Sequence, residues 1–188
     1  MLLIVVVSIN IAWRSFGFWL PKFLQQEKEY GEKTTAMLTS GFFAFADLGS
    51  IAVGAGTLWL FRRGIRLVRA RQICFGVCAA MAAMSVVAAI APKGVLLIAI
   101  LFVVGFGALG LFPTYFAMSQ EISQRHQAKV TGTLGCLNAV FLAVMFPVQG
   151  YLIDRFGSFS LALGVAGLFP VVGLVALFFW GSDSKTAK

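Results

Sequence analysis

Six apolar stretches, each longer than twenty residues, follow one another along this 188-residue chain with only short polar connectors between them. They run approximately over 2–24, 34–61, 70–91, 94–119, 130–153 and 159–180. A helix rises about 1.5 Å per residue, so about 20 residues cross the roughly 30 Å hydrocarbon layer of a bilayer. Helices are expected because each closes its own backbone hydrogen bonds where no water is available. The strict alternation of a porin strand is absent. Composition points the same way: 60% of residues are hydrophobic and 12% are charged. A water-soluble domain carries about 25% charged residues. The chain therefore reads as an all-α membrane protein, a six-transmembrane-helix bundle forming one domain over 1–188, with the lipid bilayer as its main partner.

The net charge of +8 has two readings, an acidic partner such as nucleic acid, or the positive-inside bias of membrane loops. Position decides between them. Alternate connectors share a side, and one side holds Arg62, Arg63, Arg66, Arg69, Arg71, Arg125, Lys129, Lys185 and Lys188. The other holds Lys22, Lys28, Lys33, Lys93 and Arg155. Nine against five puts the arginine connector, and with it both termini, in the cytoplasm, and the plasma (inner) membrane is the expected location. The charge is thus a topology signal, and no nucleic-acid-binding motif accompanies it. Met1 runs straight into an apolar helix with neither the basic leader nor the cleavage site of a signal peptide, so the chain reads as starting inside a helix, as a fragment does. Pro21 is expected to end that first helix at an aromatic membrane boundary.

Polar residues inside spans carry most of the functional information in such a chain. Asn10 and Arg14 stand one turn apart, with Gly17 and Pro21 continuing their face. A guanidinium stays charged, so Arg14 needs a water-filled cavity, an anion or a carboxylate, or must reach the interface. Its planar fork suits a carboxylate ligand. Ser40, Phe43, Asp47, Ser50, Gly54 and Thr57 repeat at steps of three or four and share a small, polar face. Asp47 can carry a proton, bind a cation, or neutralise Arg14. A similar stripe holds Thr131, Gly135, Asn138, Leu142, Met145 and Gln149, with Asn138 placed either to bond a polar substrate or to join helices. The fourth span is rich in glycine (Gly105, Gly107, Gly110) and then reaches Pro113, where a kink or hinge is expected. Thr114 and Tyr115 beside it can line a cavity or simply pack.

Catalysis lacks its usual groups. No span contains histidine, the cysteines Cys74 and Cys78 have no ligand neighbours, and no P-loop is present. No metal, no cofactor and no enzyme activity are expected, which leaves transport or a scaffold role.

Four stretches carry a family resemblance. These are Trp13-Arg14-Ser15-Phe16-Gly17-Phe18-Trp19-Leu20-Pro21, Asp47-Leu48-Gly49-Ser50 with Thr57 to Gly64, Phe112-Pro113-Thr114-Tyr115 continuing to Glu121, and Gly150-Tyr151-Leu152-Ile153-Asp154-Arg155-Phe156-Gly157. Together they resemble the C-terminal half of a major facilitator superfamily transporter, in the anion:cation symporter branch that includes hexuronate transporters. The last stretch is similar to the Gly-x-x-x-Asp-Arg-x-Gly element at helix ends in that superfamily. In the loop after the second span, Thr57 and Phe61 stand where the superfamily pattern has Gly and Asp, a departure that speaks against a gating salt bridge there.

The resemblance implies half of a twelve-helix fold, with a substrate cavity between two six-helix halves and alternating access by rocking. It implies a small, sugar-acid-like organic anion as substrate, moved with H⁺ or Na⁺, and either a missing N-terminal half or a second copy as partner. It gives Arg14 the carboxylate, with Asn10, Asn138 and Tyr115 as further substrate contacts and Asp47 as a coupling group or charge pair. Proton-coupling carboxylates are expected largely in the absent half. The alternative is a non-transporting orphan half or membrane scaffold.

Overall fold

The computed structural model describes residues 1–122 and 125–183, with side chains through 179. Lys185 and Lys188, counted above in the charge balance, lie outside the described residues. Among the described residues, every regular element is helical. The first span is α1 (Leu2–Lys22) followed by a π-helical turn (Phe23–Glu27). The second is α2 (Glu32–Arg62), and the third is α3 (Leu67–Ala83) continued by α4 (Ser85–Ile90). The fourth joins α5 (Val95–Gly110) to α6 (Phe112–Ile122), the fifth is α7 (Gln127–Phe156), and the sixth joins α8 (Phe159–Ala166) to α9 (Phe169–Asp183). Among the described residues, six helical stretches are long and apolar enough to cross a membrane.

Two expected helix ends are displaced. Pro21 does not end α1: the helix runs on to Lys22 and into the π turn. Proline removes a single N–H, whose acceptor would be the carbonyl of Gly17, and the looser π turn absorbs the mismatch two residues later. Asp154 and Arg155, placed by the span bounds in the connector after the fifth span, lie in the last turn of α7. That helix stops at Gly157, whose φ of +63° is the left-handed conformation glycine adopts without a Cβ penalty.

Three spans are interrupted, and two of the breaks have a proline just beyond them. Pro113 clashes with the carbonyl four residues back, that of Leu109, and the chain breaks at Leu111. Pro170 acts likewise on Ala166, and the break falls at Gly167–Leu168. The third span breaks at Met84 without a proline. There Ser85 Oγ donates to the carbonyl of Gly164 at 3.3 Å, so the breaks in the third and sixth spans face each other.

The first span is the hub, with 61% of its apolar window buried, against 22% for the second and 11% for the fifth. Lipid competes as well as side chains do for apolar surface, so close packing rather than hydrophobicity joins these helices. Phe42, Ala46, Gly49 and Val53 form the buried face of α2 against α5. A Cβ at Gly49 would overlap the Phe106 carbonyl, and one at Gly105 would stand 2.8 Å from the Phe42 carbonyl oxygen. Glycine at both places lets the two backbones touch.

One end of the bundle is clamped through the π turn. Glu27 accepts from the Ser160 N–H (2.7 Å), the Ser160 hydroxyl (2.7 Å) and the Ser158 hydroxyl (3.1 Å), capping α8. Lys28 Nζ donates to the carbonyls of Ala91 (2.7 Å) and Ala89 (3.3 Å) at the C-terminal end of α4. At the opposite end, Arg71 and Glu121 form a bidentate pair at 2.6 and 2.8 Å.

Candidate anion cleft beside Arg14

The helical step that buries Ile9, Ala12 and Phe16 in the bundle leaves Arg14, Gly17 and Phe18 of α1 on the open side. Beside them lies a cleft of about 420 Å³, lined by Trp13, Arg14, Gly17 and Phe18 of α1, Phe43 of α2 and Phe146 of α7. Its wall is mostly aromatic. Trp13 meets Phe43 edge-on with centroids 5.5 Å apart, and Phe18 meets Phe146 at 5.6 Å. Trp13 is fixed further by stacking on Phe42 at 6.3 Å and by an edge contact with Phe112 at 6.2 Å. Gly17 keeps the floor open.

Arg14 enters this cleft with no carboxylate bound to it among the described residues. Among the described residues the one ion pair is Arg71–Glu121. A guanidinium among rings, with little polar competition, favours an anion that can take two parallel N–H bonds. Asp47 is exposed on α2 and forms no ion pair, so the Arg14–Asp47 charge pair is not made. The physical reason lies in α2, which turns its Phe42, Ala46, Gly49 and Val53 face to α5 and leaves Asp47 on the other side.

Asn10 departs from the face it was expected to share with Arg14. It is buried, does not line the cleft, and donates from Nδ2 to its own helix at the Val6 carbonyl, 2.8 Å away. Four residues advance a helix by about 40° beyond a full turn, enough to carry a short side chain into the bundle while the long arginine reaches out. Tyr115 is half-buried and packs on Phe112 at 5.7 Å, one ring removed from Trp13 and outside the cleft lining. Asn138 is half-buried with its Oδ1 buried and unpartnered, as is the Thr114 hydroxyl. Neither lines the cleft.

One group was legible only as part of a stripe. Gln149 is buried and joins α7 to α1: its Oε1 accepts from Trp19 Nε1 at 3.0 Å, and its Nε2 donates to Ser15 Oγ at 2.8 Å. Ser15 follows Arg14, and Trp19 holds Phe18 edge-on at 4.9 Å. Gln149 therefore sets the spacing of the wall that Phe146 and Phe18 form. The available signal was a glutamine in an apolar span, three residues after Phe146.

A family model described as Major Facilitator Superfamily matches residues 1–140. The chain belongs to the major facilitator superfamily. It is 27% identical over 179 residues to a protein of Escherichia coli (strain K12) described as a probable L-galactonate transporter, covering 92% of this chain and 38% of that protein. It is 27% identical over 172 residues to the hexuronate transporters of Escherichia coli strains K12 and O157:H7, covering 90% of this chain and 39% of each. The facilitator chain thus spans well under half the length of these relatives. It is a multi-pass membrane protein.

The stretch from Gly150 to Gly157 closes α7. Gly157 forms the left-handed cap and donates its N–H to the Ile153 carbonyl at 2.7 Å. Asp154 is exposed, and Arg155 Nη1 donates to the Tyr151 hydroxyl at 2.9 Å. Gly150 has open space where a Cβ would stand, so packing within this chain does not demand glycine there.

Proposed function

We propose that this chain is one half of a twelve-helix facilitator that carries a small, sugar-acid-like organic anion across the plasma membrane by cation-coupled alternating access. The observation that carries the reading is Arg14, an exposed guanidinium without a carboxylate partner at the mouth of an aromatic-walled cleft within a membrane span. The L-galactonate and hexuronate transporters named above lend it support, since L-galactonate and hexuronates are sugar acids.

In this reading the substrate carboxylate takes two N–H bonds from Arg14, and the ring of Trp13 bears on the apolar face of the sugar carbons. The unpartnered Asn138 Oδ1 accepts a substrate hydroxyl as the second half closes the cavity. Asp47, on the open face of α2, sets the local charge for the coupling cation.

The test is uptake of labelled hexuronate or aldonate by cells expressing the complete transporter. Arg14→Ala lowers uptake by at least about a hundredfold at unchanged membrane abundance. Arg14→Lys restores less than the native rate, because an ammonium lacks the fork. Normal uptake by the alanine variant overturns the anion site.

A further inference from the structure

The strongest charge feature outside the cleft is the turn between α2 and α3. Four exposed arginines, Arg62, Arg63, Arg66 and Arg69, fall within eight consecutive residues there. Like charges this close repel unless counter-charge is present. Of the seven acidic residues in the chain, Glu27, Glu29, Glu32 and Asp154 belong to connectors at the clamped end, Asp47 to mid-span, and Glu121 and Asp183 to the arginine end. Glu121 is the described carboxylate side chain at the arginine end, and Arg71 already occupies both its oxygens.

The arginines also stand at the depth of an interface. Around them Leu58, Trp59, Phe61, Leu67 and Val68 expose 37–53% of their surface. Arg63 lies over the Trp59 ring, 4.0 Å from its centroid, which keeps its fork level with the top of the apolar band. Gly64, at φ +85°, reverses the chain so that arginines from the end of one helix and the start of its packed neighbour share one turn. Apolar side chains below and guanidinium groups above match the two parts of a phospholipid. Phosphate esters accept bidentate N–H bonds, and an anionic lipid adds net negative charge that a zwitterionic lipid lacks.

We propose that this turn is a docking surface for the phosphate headgroups of anionic phospholipids. A topology bias asks only that basic residues lie on one side; a docking surface holds lipid at these four positions after the bilayer is gone. The two differ in what a purified protein retains.

The full chain is purified in a nonionic detergent, and its lipid adducts are counted by native mass spectrometry during titration with phosphatidylglycerol, phosphatidylcholine or inorganic phosphate alone. The native chain retains phosphatidylglycerol in preference to phosphatidylcholine. Arg62→Gln, Arg63→Gln, Arg66→Gln and Arg69→Gln together weaken that retention at least about tenfold. A charge-matched control, with Lys22, Lys33, Lys93 and Arg155 all changed to glutamine at the other end, keeps it. If the quadruple variant does not fold, the pairs Arg62/Arg63→Gln and Arg66/Arg69→Gln each give a partial loss. The proposal falls if the arginine variants retain phosphatidylglycerol as the native chain does, or if the control loses as much. It falls also if inorganic phosphate displaces the lipid at equal concentration, which marks a free-phosphate site.

Discussion

The α2–α5 contact and the α1–α7 contact are built on opposite principles. In the first, Gly49 meets the backbone of Phe106, and Gly105 meets that of Phe42. In the second, large aromatic rings hold the helices apart, one glutamine bonds across, and a cleft of about 420 Å³ opens beside Arg14. Within lipid, dispersion is the main term that favours helix–helix contact over helix–lipid contact, so a joint meant to stay shut excludes everything but backbone. A joint meant to admit a ligand keeps rings for walls and spends few polar groups on its own cohesion.

The largest effect is expected where the shut joint is forced open. Gly49→Leu places a branched side chain where a Cβ already overlaps the Phe106 carbonyl. Backbone cannot swing away as a flexible side chain can, so the cost is about 3 kcal/mol or more. The expected outcome is loss of folded, detergent-soluble protein, read by thermal unfolding and by yield after size exclusion. A variant as stable as the native chain would show that α2 and α5 separate easily, and the contrast between the two joints would collapse.

Next comes the open joint. Gln149→Leu removes the acceptor of Trp19 Nε1 and the donor to Ser15 Oγ. Hydrogen bonds between membrane helices are worth about 0.6 kcal/mol each on average, so losing both partners is expected to cost about 1 kcal/mol, still well below the glycine change. A double-mutant cycle with Trp19→Phe isolates the bond from the packing. A coupling indistinguishable from zero would mean that rings alone hold α7. In the complete transporter, the same variant is expected to raise KM more than it lowers the maximal rate, because Phe146 and Phe18 lose their spacing.

How far the residues themselves disclosed this differs along the chain. The six spans were plain, because twenty apolar residues in a row have few other folds open to them. Helix ends were less so: Pro21 and Asp154 both suggested stops, yet backbone hydrogen bonds in lipid are costly enough to lose that helices run past such signals. Arg14 stood out by its charge alone. Its aromatic neighbours did not, since Phe43 and Phe146 lie 29 and 132 residues away, and one phenylalanine among 19 carries no label. The clamp formed by Glu27 and Lys28 was equally hidden: its partners are carbonyls, N–H groups and serines that any connector offers.

The smallest effect separates two roles for Asp47. A carboxylate locked into a structural pair with Arg14 would leave a charge stranded when neutralised, and stability would fall by several kcal/mol. Asp47 instead lies exposed on the open side of α2, with no cation bound to it among the described residues. Asp47→Asn is therefore expected to shift the unfolding free energy by less than about 0.5 kcal/mol, as substitutions away from packed or paired sites do. Thermal unfolding in detergent measures it. A large loss would place Asp47 inside the shut half of the comparison, as part of what holds the bundle together. A small shift leaves its charge to the open half, where the face it shares with Ser40, Ser50 and Gly54 awaits whatever closes over Arg14.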